Sequence, residues 1–173
     1  MEILENMDAW VATYKAGWLA HFEKTGEKNF KIYNRPQNSE APAGPGIDLS
    51  QSRLILITTA GSYLRSSQKP FQAEDPLGDY TTRIYPTNTQ LGDLAIAQQH
   101  YNHEAIEDDC QVLIPLRHLE DLVQEGFIGE LATNVISAHG YMPDVLKLLK
   151  VTIPDILTKV AKEEAHAALL VPA

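Results

Sequence analysis

The densest collection of chemically capable side chains lies in HYNHEAIEDDC, which brings His100, Tyr101, His103, Glu104, Glu107, Asp108, Asp109 and Cys110 into one short stretch. An imidazole titrates near neutrality, so His100, with Tyr101 beside it, is a candidate general acid or base. Imidazole, thiolate and carboxylate are also zinc donors, and a metal reading would take His100 and His103 with Cys110, Asp109 or His118. The spacing matches no zinc motif, and His-x-x-His in a polar loop reads first as two solvated histidines, so no metal is expected. Cys110 is a nucleophile only if a histidine lowers its pKa. The carboxylates of Glu107, Asp108 and Asp109 work the other way, and the residue reads as inert.

Two further places offer chemistry through the backbone. TTAGS, Thr58 to Ser62, supplies amides at the end of an apolar run, as an anion site would. It lacks the remaining glycines of G-x-G-x-x-G and the Gly-Lys-Ser/Thr of a P-loop, so a nucleotide site is not supported. His139 in SAHGY stands beside Gly140 at the end of another apolar run, either as a pocket residue or as part of a turn.

These residues need elements to hold them. RLILITTAG (Arg53 to Gly61) reads as a central parallel strand entering a loop. LAIAQQH offers a second strand, Leu131 to Ser137 a third, and AALLV (Ala167 to Val171) a closing one. Between them, LRHLEDLVQEG is a helix stopped by Gly126, and MPDVLKLLK and IPDILTKVAKEEA are two helices opened by Pro and Asp. The stretch from Ser62 to Pro86 is polar and turn-rich and is expected to form a long excursion over the carboxyl edge of the sheet. Strands alternating with helices predict an α/β fold, a mainly parallel sheet with flanking helices in a Rossmann-like three-layer sandwich. Ahead of it, Ile3, Leu4, Met7, Trp10, Val11, Tyr14, Trp18 and Phe22 recur at helical spacing and predict an amphipathic helix over residues 2 to 24. RPQNSEAPAGPG is linker chemistry, so residues 1–47 form the helix and linker and 48–173 the α/β domain.

Composition narrows the function classes. The 173 residues are 44% apolar, enough for one domain with a sizeable core. Lys and Arg number 14 against 23 Asp and Glu, a net charge of -9 that repels a phosphate backbone, so no nucleic-acid partner is expected. No apolar run approaches the roughly 20 residues of a membrane helix, and the N-terminus lacks a signal peptide, which points to a cytoplasmic protein without a membrane partner. The single cysteine excludes an internal disulfide.

Taken in order, LILITTAGSYLRSSQKPF, GDYTTRIYP, HYNHEAIEDDCQVLIPLRHLEDLVQEGFIG, ISAHGYM and EEAHAALLVPA resemble the selenoprotein B family of the glycine, sarcosine, betaine and D-proline reductases. The resemblance covers about Leu54 to Ala173. Its most specific part is the framework of Tyr101, Asp109, Pro115, Leu119, Gly126 and Gly129, with Ala60-Gly61 and Lys69-Pro70-Phe71 upstream. Asn102 and Gln111 depart from it, where the family often has Asp and Asn.

The resemblance implies an amino-acid reductase component using thiol or thioredoxin as reductant. It implies a selenocysteine or cysteine, in a U-x-x-C or C-x-x-C motif, just beyond the strand that here is AALLV, and a pyruvoyl group on a partner subunit. It also implies that Thr59, Ala60, Gly61, His139 and Gly140 frame the pocket for a small-molecule substrate. His100, Tyr101 and Asp109 become candidates to position or protonate it, by their position in the match rather than by known assignment. The sequence stops at Ala173, before any such motif, so the expectation is a UGA codon there read as a stop, against a boundary set otherwise or a shortened paralogue. The chain alone is then expected to be inactive, because Cys110 has no resolving partner. The other function class is a non-catalytic binding or assembly module, in which the aromatic N-terminal helix mediates a homo-oligomer.

Overall fold

A computed structural model describes residues 4–34, 37–40, 44–98 and 104–173. The chain divides into two compact units, Met1–Gly46 with Asp144–Leu146, and Ile47–Pro143 with Lys147–Ala173.

In the first unit the predicted amphipathic helix is present as α1 (Met7–Tyr14), a π-helical turn (Lys15–Leu19) and α2 (Ala20–Thr25). Gly26 ends it at φ 72°, a left-handed conformation that glycine adopts without a Cβ clash. Spacing of four residues stacks the aromatic stripe: Trp10 on Tyr14 at 5.5 Å, Tyr14 on Trp18 at 5.9 Å, and Trp18 on Phe22 at 5.5 Å between ring centroids. Tyr33 meets Trp10, Tyr14 and Trp18 edge-on, the arrangement that the ring quadrupoles favour. The Trp10 indole N–H donates to the Asn34 carbonyl at 2.6 Å, which ties the returning chain to the helix.

The second unit is the α/β fold that the sequence predicts. Its elements are β1 (Arg53–Thr58), β2 (Ser62–Leu64), β3 (Thr82–Pro86), β4 (Leu94–Ile96), α3 (Glu104–Asp108), α4 (Leu116–Gln124), β5 (Glu130–Leu131) and β6 (Asn134–Ala138). A helical run follows, α5 (Val145–Lys147), of which Val145 and Leu146 belong to the first unit, a π-helical turn (Leu148–Thr152) and α6 (Ile153–Lys162), and β7 (Ala167–Val171) closes the chain. β1 is the centre. It pairs in parallel with β7 on one side, from Leu54↔Ala167 to Thr58↔Val171, and on the other with β5 at its start and β6 at its end.

Alternation along β1 feeds two cores. Leu54 and Leu56 join Tyr85, Val135, Leu116, Leu119 and Ile128 on the face that α4 covers. Ile55 and Ile57 join Ala132 and Ile136 on the other face, under Ile156 and Val160 of α6. Burial on both faces is why this strand reads as an unbroken apolar run. β7 has β1 as its only strand partner among the described residues and leaves Leu170 67% exposed. No helix of the described residues is long and apolar enough to cross a membrane.

The structure corrects the expectation for the polar excursion. TRIYP forms β3, which pairs antiparallel with β6 from Thr82↔Ala138 to Pro86↔Asn134 and makes one edge of the sheet. An edge position suits Pro86, which has no N–H to give a ladder. The predicted strand in LAIAQQH does form, as β4, but it pairs antiparallel with β2 in a separate ribbon instead of joining the parallel sheet.

Asp79 organises the loop ahead of β3. Its carboxylate accepts from the backbone N–H groups of Gln72 and Thr81, at 2.9 Å each, and from the Thr81 hydroxyl at 2.5 Å. Arg83 lies 3.9 Å away and lays its guanidinium 4.2 Å over the Phe71 ring. Burial works to raise the Asp79 pKa, but these hydrogen bonds and the Arg83 charge outweigh it and hold the carboxyl below its ordinary value.

Two outcomes follow for stability. Asp79→Asn lowers the unfolding free energy by about 1.5–3 kcal/mol near neutral pH, the range for hydrogen bonds to a charged group. Because the folded-state pKa is depressed, the wild-type advantage is full above the unfolded value of about 3.9 and shrinks as pH falls through the folded value, which urea titrations at several pH values measure. A Cβ on Gly129 would stand 2.9 Å from the carbonyl oxygens of both Ser50 and Ser52, whereas one on Gly92 meets nothing within 4 Å. Gly129→Ala therefore costs about 1–3 kcal/mol in the same titration, against about 0.5 kcal/mol or less for Gly92→Ala.

Candidate functional site

The carboxyl ends of β1, β6 and β7 meet on one rim. Past Thr58 the ladder continues for one bond, the Thr59 N–H donating to the Val171 carbonyl at 3.0 Å, and then β1 turns toward β6. Ala60 and His139 form an isolated antiparallel bridge, and the Gly61 N–H donates to the Ala138 carbonyl at 2.9 Å. Thr58 holds the turn from beneath: its hydroxyl donates to the Leu113 carbonyl at 3.0 Å and accepts from the Ala60 N–H at 3.2 Å.

Two glycines make the rim possible. Gly61 sits at φ 70°, and a Cβ there would stand 2.8 Å from the Ala97 oxygen and 3.3 Å from His139 Cδ2. Gly140 is enclosed by Gln98, Ala173 and Thr59, whose nearest atoms would lie 2.8, 3.1 and 3.2 Å from a Cβ. Only a residue without a side chain lets these backbones approach so closely. Ala173 is tied in by its N–H, which donates to Thr59 Oγ1 at 2.9 Å. The five pocket candidates of the sequence, Thr59, Ala60, Gly61, His139 and Gly140, thus stand together at one place.

Beneath the rim runs a buried hydroxyl chain. Ser62 Oγ lies 2.8 Å from the Tyr85 hydroxyl and donates to Ser137 Oγ at 2.9 Å, with all three residues at most 1% exposed. Burial pushes the Tyr85 phenol well above its ordinary pKa, and the Ser62 hydrogen bond offsets only part of this, so it stays protonated.

His139 is fully buried. Its Nδ1 lies 3.2 Å from the Tyr141 carbonyl, its ring stacks with Phe71 at 6.0 Å between centroids, and its Nε2 has no hydrogen-bond partner among the described residues. Phe71 and Gln98 line an open cleft of about 770 Å³, with Gln72, Ala73, Glu74, Asp75, Ile96 and Ala97.

Asp109 lies apart from the rim. Its carboxylate accepts from the Gln111 N–H at 2.9 Å and begins the 3₁₀ turn Cys110–Val112. It borders a second cleft of about 710 Å³ with Tyr63, Arg65, Asp108 and Cys110, and Ile96 is common to the walls of both clefts. Burial raises the Cys110 pKa and the neighbouring Asp109 charge raises it further, so the thiol is a poor nucleophile. His100 and Tyr101, with His103, lie outside the described residues. Among those described, no three His, Cys, Asp or Glu residues are grouped to hold a metal ion. Sequence reasoning missed Phe71 as a wall of the site, Gln98, and the Ser62–Tyr85–Ser137 chain. Only Phe71 carried a signal, as part of the Lys69-Pro70-Phe71 segment.

No family model and no solved structure matches the chain. Among curated proteins it is 26% identical over 123 residues to D-proline reductase subunit gamma of Acetoanaerobium sticklandii, covering 71% of this chain and 49% of that protein. The chain spans about half the length of the curated relative it matches.

Proposed function

We propose that the α/β unit is the pocket-bearing part of an amino-acid reductase component of the selenoprotein B type. One observation carries the reading: the rim gathers Thr59, Gly61, His139 and Gly140 with the end of β7, in a chain whose similarity is to a subunit of D-proline reductase. In this reading a selenocysteine or cysteine follows Ala173. Gly140 has no Cβ where Ala173, Thr59 and Gln98 close in, which lets the end of β7 pack against the rim. When present, a selenol or thiol supplies a nucleophile that dithiols or thioredoxin can reset.

The chain's own residues bind and orient. Thr59 Oγ1 fixes the backbone that leads to the redox group, and Gly61 and Gly140 let the backbones of the rim pack closely. The hydroxyl chain of Ser62, Tyr85 and Ser137 ties β2 and β3 to β6 just before the rim. His100 and Tyr101 position or protonate the small-molecule substrate, Asp109 braces the turn that carries Cys110 in the neighbouring cleft, and a partner subunit brings the pyruvoyl carbonyl.

The gene beyond codon 173 gives the first test. A UGA or cysteine codon directly after it, followed by a frame with a second cysteine, is expected; an ordinary stop with no such frame sinks the redox reading. The second test is activity with dithiothreitol on D-proline, glycine, sarcosine and betaine. The chain extended through that codon and joined by a pyruvoyl-bearing subunit cleaves one of them reductively, and the 173-residue chain alone cleaves none. Turnover by the chain alone would contradict the assignment.

A further inference from the structure

We infer that His139 Nε2 is a hydrogen-bond acceptor for a small N–H donor bound in the 770 Å³ cleft, reached past the Phe71 ring. The imidazole is fully buried, yet only one of its two nitrogens is used. Nδ1 faces the Tyr141 carbonyl at 3.2 Å, and a carbonyl can only accept, so Nδ1 carries the hydrogen. Nε2 of a neutral ring then holds a bare lone pair. A buried acceptor without a partner is costly, and such groups are uncommon outside sites where a ligand completes them.

The surroundings show where that ligand enters. The Cδ2 atom bonded to Nε2 faces Gly61, at 3.3 Å from where a Cβ would stand, and the Gly61 carbonyl accepts from the N–H of Ala97, a wall residue of the cleft. Phe71 stacks with the imidazole and lines the same cleft. The imidazole itself does not line the cleft, and Phe71 is the side chain that neighbours both. Phe71 is held by Arg83, whose Nε and NH2 groups donate to the Lys69 and Pro70 carbonyls at 2.9 and 3.3 Å. A rotation of that one side chain opens the path without moving a strand.

Glu74 and Asp75 on the cleft wall favour a cationic donor, an ammonium over an anion. The ammonium donates one N–H to the Nε2 lone pair and keeps its proton, while Nδ1–H stays on the Tyr141 carbonyl, so the same hydrogen bond that selects the tautomer aims the acceptor. The inference stands without the reductase reading. Under that reading it gives His139 the substrate's amine to hold.

Diethyl pyrocarbonate, which acylates an unprotonated imidazole nitrogen, tests the assignment on the chain itself. Peptide mass spectrometry should find His139 slow to react in the wild type and about tenfold or more faster in Phe71→Ala, because modification follows the opened fraction, with His118 and His166 unchanged. Phe71→Leu serves the same purpose should the smaller side chain cost the fold. Long-range proton–nitrogen spectra of nitrogen-labelled histidine, assigned with His139→Gln, should show Nδ1 protonated and Nε2 bare. A folded Phe71 variant with no gain in rate, or spectra with the hydrogen on Nε2, overturns the proposal. Both measurements are independent of reductase activity, so failure here and failure of that reading are told apart.

Discussion

Strand β1 is the constraint on which the rest depends. Its four central residues, Leu54 to Ile57, are all buried, two on each face, and it is paired along both edges. A strand so enclosed cannot hold an unpaired polar group along its length, because each would cost its desolvation in full. Polarity is therefore postponed to Thr58 and Thr59, at the carboxyl end. Both hydroxyls are committed there at once, Thr58 to the Leu113 carbonyl and the Ala60 N–H, Thr59 to the Ala173 N–H. The place where the strand runs out of apolar residues is the place where the other strand ends are gathered.

This explains which parts of the fold are legible in sequence. β1, the main part of β6, and β7 announce themselves as apolar runs, and α4 and α6 by three-and-four spacing, since burial on one or two faces writes itself into residue order. The rim follows from the same reading: small or polar residues directly after apolar runs in a parallel sheet fall at its carboxyl edge. β3 is not legible in this way. Thr82, Arg83 and Ile84 are each only half-buried, Tyr85 alone is fully enclosed, and polar, turn-rich sequence precedes them. What makes β3 a strand is β6, which lies some fifty residues downstream and pairs with all five of its residues. Pairing of that range leaves little local trace.

The same distinction separates the site residues found by sequence from those missed. Thr59, Ala60, Gly61, His139 and Gly140 belong to strand ends, so their position follows from the strands. Phe71 and Gln98 reach the site only because the excursion between β1 and α3 folds back over it. That fold is set by Asp79 collecting the N–H groups of Gln72 and Thr81, by Arg83 over Phe71, and by the β2–β4 ribbon. None of these contacts has a periodicity. The residues that close the site are thus specified by hydrogen bonds to backbone, and those that floor it by burial.

Floor and lid also differ in how readily they can change. The floor is close-packed backbone: Cβ atoms at Gly61 and Gly140 would meet main-chain atoms at 2.8 and 3.1 Å, so any shift there must move a strand. The lid over His139 is one aromatic ring fixed by one guanidinium, and its rotation disturbs no ladder. Rigidity below and one movable side chain above would let a small molecule enter while the strand ends keep their register. The buried histidine lies at the boundary between the two. Its backbone is bridged to β1 at Ala60, its Nδ1 is spent on Tyr141, and only the nitrogen that would meet a ligand is left without a partner among the described residues.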